Sequence, residues 1–125
     1  MEQRRILVVE DDLYLRDLYC DILRDAGFYV EGAENGEEAL PKLANGGWDL
    51  ILLDIVMPKM DGIQVVKQLK QIKSEKPNGK VVFLTNLGKD EKIEEALSFE
   101  GVVGYLIKSQ YTPDQLLNEI QNFMK

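Results

Sequence analysis

Asp49-Leu-Ile-Leu-Leu-Asp54, continuing into Ile55-Val-Met-Pro-Lys-Met-Asp-Gly62, joins an uninterrupted apolar run to a turn-rich loop, with a carboxylate at the junction. A strand covered on both faces reads as a continuous apolar run, and in open α/β sheets ligands sit outside the carboxyl ends of such strands. Asp54 is therefore a candidate working group, and the fold it implies can be sought on either side of it.

On either side, strand-like runs alternate with helical patterns five times, the signature of an α/β domain. The strands read as Arg5 to Glu10, Phe28 to Ala33, Asp49 to Asp54, Lys80 to Thr85 and Val103 to Ile107. The second alternates apolar with polar residues and suits an edge. The first helix spans Leu13 to Ala26, with Asp12 as N-cap and Gly27 as its stop; its buried stripe is Leu15, Leu18, Tyr19, Ile22, Leu23 and Ala26, which leaves Cys20 on the flank. The second opens on Asn35 with Glu38 three residues on, but Pro41 falls inside it, so a kink or a short helix is expected. The third, Ile63 to Lys73, buries Val65, Val66, Leu69 and Ile72, and ends at a loop marked by Pro77-Asn78-Gly79. The fourth, Asp90 to Phe99, is a weak amphipath with Ile93, Ala96 and Leu97 facing inward. The last starts on Thr112, Pro113 and Gln115 and buries Leu116, Leu117, Ile120, Phe123 and Met124. With 125 residues, no repeat and no linker, residues 1–125 read as a single domain. It is a doubly wound parallel sheet with helices on both faces.

Composition narrows the function. No apolar stretch approaches the roughly 20 residues of a membrane span, and the start carries no signal-peptide pattern, so a cytoplasmic protein is expected. A lone cysteine, Cys20, forms no internal disulfide and reads as inert. The absence of histidine removes the commonest zinc ligand and catalytic base. A net charge of −7 and a pI near 4.6 disfavour direct binding to nucleic acid or to a membrane surface.

The strand ends carry the remaining chemistry: Glu10 and Asp11 after the first strand, Asp54 after the third, Thr85 after the fourth and Lys108 after the fifth. If the first and third strands are neighbours, about 4.8 Å apart, Asp11 and Asp54 converge on one ion with Glu10 close behind. Such carboxylates repel one another unless a hard cation joins them, and Mg²⁺ suits this donor set better than Ca²⁺. Lys108 can pair with Asp54 and later with a phosphoryl oxygen, and Thr85 adds a hydroxyl to the same rim. Together they describe a phosphoryl acceptor in which Asp54 attacks in line.

The ordered set Ile6-Leu-Val-Val-Glu-Asp11, Leu53-Asp-Ile-Val-Met-Pro-Lys-Met-Asp-Gly62, Leu84-Thr85 and Gly104-Tyr-Leu-Ile-Lys108 resembles the receiver domains of two-component response regulators over essentially the whole chain. The resemblance implies a flavodoxin-like strand order 2-1-3-4-5. It also implies Asp54 as phosphoacceptor, Asp11 and the Val56 backbone carbonyl as Mg²⁺ ligands, Glu10 acting through water, and Thr85 with Tyr105 as a switch pair. The implied function is a phosphorylation-activated signalling switch, not a turnover enzyme, that catalyses only its own phosphorylation and dephosphorylation. A sensor histidine kinase or histidine phosphotransfer protein would supply the phosphoryl group. A downstream partner, or a homodimer, would read the face made by the fourth helix, fifth strand and fifth helix.

Two departures matter. The family usually has a cis proline after the lysine of strand five, whereas this chain has Ser109; either the Lys108–Ser109 peptide is trans or the fold tolerates the roughly 2.5–4 kcal/mol of a non-proline cis bond. Two residues beyond Asp54 and Thr85 stand apolar Val56 and Leu87, neither of which can orient an attacking water, so slow autodephosphorylation is expected. Three competing readings are a phosphorylation-independent pseudo-receiver, an Mg²⁺-dependent phosphohydrolase, and a flavodoxin. No site residue is missing, as a pseudo-receiver would have it. The phosphohydrolase would need an acid/base where Val56 stands, and the flavodoxin a hydroxyl- and glycine-rich loop where Glu10-Asp11-Asp12 stands.

Overall fold

A computed structural model describes residues 3–86 and 92–125. Its elements follow the chain as β1 (Arg5–Val9), α1 (Leu13–Asp25), β2 (Tyr29–Ala33), α2 (Gly36–Asn45), β3 (Leu50–Asp54), α3 (Gly62–Gln71), β4 (Lys80–Thr85), α4 (Lys92–Leu97), β5 (Val102–Ile107) and α5 (Pro113–Phe123). The five strands form one parallel sheet in the order β2-β1-β3-β4-β5, which puts β2 at an edge, as its alternating pattern suggests, and makes β1 and β3 neighbours. The five strands, and every helix end that the sequence reading gave and that is described, agree with it to within about two residues, the usual spread in assigning an element's ends. The start of the fourth helix at Asp90, and Leu87, lie outside the described residues.

Period-two alternation divides the sheet between two cores. Leu7, Val9, Ile51, Leu53, Val81 and Phe83 pack with α2, α3 and α4, whereas Ile6, Val8, Leu50, Leu52, Val82, Leu84 and Leu106 pack with α1 and α5. Continuing the second set to the carboxyl edge of the sheet reaches Glu10, Asp54 and Lys108; continuing the first reaches Thr85. The strand parity that builds the cores thus also sorts the polar residues at the sheet's carboxyl edge.

Where their starts are described, the helices begin within a residue of the sequence reading. Asp12, Asn35, Asp61 and Thr112 each accept a backbone N–H three residues on, and Asp61 with Gln64 and Thr112 with Gln115 complete capping boxes. Pro41 lies inside α2, which runs ten residues through it, and the carbonyl it cannot serve belongs to exposed Glu37. Four helical residues differ from the sequence reading. Leu18 and Leu97 are 37% and 38% exposed, and Ala26 is exposed too, so all three lie off the buried stripes. Cys20, placed on the flank of α1, is buried at 3% exposure because the helix leans over edge strand β2. Burial raises the thiol pKa, consistent with an inert cysteine. Among the described residues no helix is long and apolar enough to cross a membrane.

Candidate functional site at the carboxyl edge of the sheet

Asp54 is the last residue of β3 and is 1% exposed. Its two oxygens have different partners. Oδ2 lies 2.6 Å from Lys108 Nζ, which donates to it, and Oδ1 accepts the Val56 amide at 3.3 Å. Glu10, fully buried just past β1, accepts the Asp12 amide on Oε2 at 3.1 Å. Its Oε1 lies 2.7 Å from Lys108 Nζ, close enough for an ion pair but without hydrogen-bond geometry, and so has no hydrogen-bond partner among the described residues. The Lys108 side chain is only 7% exposed, so one desolvated ammonium is shared between two desolvated carboxylates.

Asp11 completes the group: one oxygen each from Glu10, Asp11 and Asp54 lie within 4.8 Å of one another. Crowding and burial show in their proton affinities. Burial, reinforced by Glu10, pushes Asp54 up to about 8 against the pull of Lys108. Burial also acts on exposed-side Asp11, but hydrogen bonding with Glu10 and Asp54 outweighs it and holds that carboxyl below its usual range. The Lys108 ammonium resists burial through its contacts with Asp54 and Glu10, which raise its pKa. Three carboxyl groups facing one ammonium, with a buried oxygen lacking a hydrogen bond, are under-neutralised. That is the environment a hard divalent cation fits.

Two local features aim these groups. The Lys108–Ser109 peptide is trans, and Ser109 takes a positive φ of 63°. The Lys108 amide donates to the Thr85 carbonyl at 2.7 Å, so the lysine leaves the sheet still tied to β4. After Asp54 the chain doubles back so tightly that Gly62 donates to the Ile55 carbonyl at 2.8 Å, and a Cβ at Gly62 would run into the Asp54 carbonyl oxygen. The sequence reading used Gly62 only as part of a motif, and this close approach is what requires glycine there.

The remaining predicted residues sit around the same edge. Thr85 ends β4 and is 3% exposed. Tyr105, on β5 opposite Phe83, is half-buried against the core between the sheet and α2, α3 and α4. Val56 is exposed at 61% on the loop beyond Asp54. Asp12 caps α1, the role the sequence assigned it. Sequence reasoning missed Arg16, one turn into α1, which donates to the Glu10 carbonyl at 2.8 Å; arginine on an amphipathic helix carries no signal of such a contact.

Residues 6–121 match the family of the response regulator receiver domain. The chain belongs to that family. Among its relatives is the chemotaxis protein CheY of Thermotoga maritima, 30% identical over 123 residues and 98% of each chain. Another is the alkaline phosphatase synthesis transcriptional regulatory protein PhoP of Bacillus subtilis, 41% identical over 106 residues, 84% of this chain but 42% of the relative. The chain thus spans nearly all of some relatives and less than half of others. Among solved structures, the chemotaxis protein CheY4 of Vibrio cholerae matches with a TM-score of 0.81 and 32% identity over 97% of this chain and 98% of that one. The response regulator TrrA of Thermotoga maritima, solved in complex with Mg²⁺–BeF, matches with a TM-score of 0.76 and 33% identity, covering 96% and 98%. Receiver domains are phosphoacceptor signalling domains of two-component systems, phosphorylated by histidine kinases and acting on downstream targets. This receiver domain carries the acidic cluster at the carboxyl edge of its sheet.

Proposed function

We propose that this receiver domain is a phosphorylation-activated switch in which Asp54 accepts a phosphoryl group from the phosphohistidine of a sensor kinase or phosphotransfer protein. The observation that carries the reading is the buried Asp54 carboxylate, paired at 2.6 Å with Lys108 inside a carboxylate cluster. An Asp54 oxygen bonds to phosphorus as the P–N bond of the donor breaks, and the electron pair leaves with the donor imidazole. Lys108 then has a phosphoryl oxygen to pair with in place of a bare carboxylate. Glu10, Asp11, Asp54 and the Val56 carbonyl would hold Mg²⁺, with Glu10 acting through water. Bound there, the ion neutralises charge on carboxylate and phosphoryl oxygens.

Thr85 and Tyr105 are the proposed readout. They lie on the parity that faces α3 and α4, opposite to Glu10, Asp54 and Lys108, so a threonine drawn toward a phosphoryl group acts on the core between the sheet and α2, α3 and α4. Phosphorylation biases the domain only through a difference in its affinity for two arrangements. The face that changes is α4, β5 and α5, where a downstream protein or a second copy of the chain would dock.

The test is incubation with Mg²⁺ and a small phosphodonor, followed by intact mass. One added phosphoryl group, lost in Asp54→Asn and on omission of Mg²⁺, is the expected result. No gain in the wild-type protein would refute the reading and favour a phosphorylation-independent interaction module.

A further inference from the structure

The Glu10 carbonyl presents an accounting problem. In a parallel ladder the N–H and C=O of one residue face the same neighbour. The Glu10 amide does bond to β2, donating to the Ala33 carbonyl at 3.0 Å. Beyond Ala33 that strand ends, so its edge offers no ladder amide for the Glu10 carbonyl. Arg16 supplies the donor instead, with Nη1 at 2.8 Å. The acceptor belongs to the Glu10–Asp11 peptide unit, whose other half is the Asp11 amide. One guanidinium therefore bonds the planar unit that joins two residues of the acidic cluster.

The path of the arginine is built into the sheet. Its stem lies across β2 at Gly32, where a Cβ would stand 3.1 Å from Arg16 Cδ and 3.3 Å from Cγ. Those distances are tighter than ordinary van der Waals contact, so any larger residue at Gly32 must push the stem aside. Gly32 is paired with Val8, two residues before Glu10, so the gap in the edge strand lies just where α1 can reach the carbonyl.

We propose that Arg16 is a positioning residue for the cation site, orienting the Glu10–Asp11 peptide so that both carboxylates point at Asp54, with Gly32 as the space its side chain requires. Arg16 touches neither Mg²⁺ nor phosphoryl group; it acts through the peptide it holds. The inference rests on the cation-binding reading of the acidic cluster. Partners of this outer kind typically change metal affinity by about 10- to 100-fold when removed.

The experiment is Mg²⁺ titration of the unphosphorylated chain by calorimetry, with circular dichroism as a check on folding, for wild type, Arg16→Ala, Arg16→Lys, Gly32→Ala and the Arg16→Ala/Gly32→Ala pair. Arg16→Ala is expected to weaken Mg²⁺ binding about tenfold. Arg16→Lys, which keeps a donor of similar reach, should recover most of that loss. Gly32→Ala should weaken binding in the wild-type background and add nothing once the arginine stem is gone, a non-additivity that marks a shared path. The ¹⁵N shift of the Asp11 amide should move in Arg16→Ala even without Mg²⁺. Wild-type affinity in Arg16→Ala, or additive losses in the pair, would overturn the positioning role while leaving the cation site standing. A wild-type chain that takes up no Mg²⁺ would overturn the site and the inference together.

Discussion

Replacing Asp54 by asparagine should make the metal-free protein more stable at neutral pH, because the carboxylate cluster stores unfavourable charge that only a cation or a proton relieves. The Asp54 pKa rises from 3.8 in the unfolded chain to about 8 in the folded one. The folded state thus binds this proton more tightly than the unfolded state. Metal-free stability is highest below the unfolded pKa and falls as pH rises from about 4 towards 8. At pH 7 the interval above 3.8 is about 3 units, each worth about 1.4 kcal/mol, which sets a ceiling of about 4 kcal/mol on the penalty. Part of it is returned, since Asp11 is held below its usual range and the carboxyl groups titrate as a unit. Asparagine also gives up the negative charge that pairs with the Lys108 ammonium at 2.6 Å. A net gain of about 1–3 kcal/mol is expected.

Urea denaturation in chelator at pH 5, 6, 7 and 8 measures it. The wild-type curve should fall more steeply with pH than the Asp54→Asn curve. Mg²⁺ at about 100 times its dissociation constant should return about 2.7 kcal/mol to the wild type and much less to the variant. Parallel pH profiles, or a variant less stable than wild type in chelator at pH 7, would refute the reasoning.

Val56→Asn is expected to shorten the phosphorylated lifetime, by offering an exposed polar side chain next to Asp54 that can orient water; decay of the phosphorylated mass with time is the readout, and an unchanged lifetime would remove Val56 from the account. Gly62→Ala should cost about 1–3 kcal/mol or more in urea denaturation, because its Cβ meets the Asp54 carbonyl and the Phe83 ring with no flexible atom to yield on the backbone side. Lys42→Met should cost no more than about 1 kcal/mol, since the Lys42–Glu31 pair at 2.7 Å leaves both side chains 31% exposed. Hydrogen bonding from Lys42 and Tyr29 depresses the Glu31 pKa below 4.5, so the pair's contribution is present above that value and lost as pH falls through the folded one. The variant's acid-side stability profile should therefore be flatter than the wild type's, and thermal melts between pH 3 and 6 would reveal it.

Much of the domain was legible because its signals are local. Continuous apolar runs marked β1, β3 and β4, and caps such as Asn35 and Thr112 are chosen by chemistry within three residues of themselves. The misreadings concern which flank of a helix is covered. Periodicity gave α1 a stripe of Leu15, Leu18, Tyr19, Ile22, Leu23 and Ala26, of which Tyr19 and Leu23 are buried, but the helix leans towards the β2 edge, which buries Cys20 as well and leaves Leu18 and Ala26 open. On α4, Leu97 looked inward by spacing and lies 38% exposed. Pro41 marked the second helix for a kink or a short run, and α2 accommodates it within ten residues, the carbonyl left unbonded belonging to an exposed residue.

The sequence by itself determined the alternation of strand and helix and the set of residues at the strand ends, because an apolar run, a period of 3.6 and a capping side chain are read within a few neighbours. Only the tertiary structure decided that Lys108 reaches Asp54 at 2.6 Å across 54 positions of chain, and that Glu10 keeps one buried oxygen without a hydrogen bond among the described residues. It also decided that Arg16 crosses Gly32 to hold the Glu10 carbonyl. Those facts depend on which strands lie side by side and where an edge strand stops, and burial then sets the strength of each charge; no local pattern encodes either.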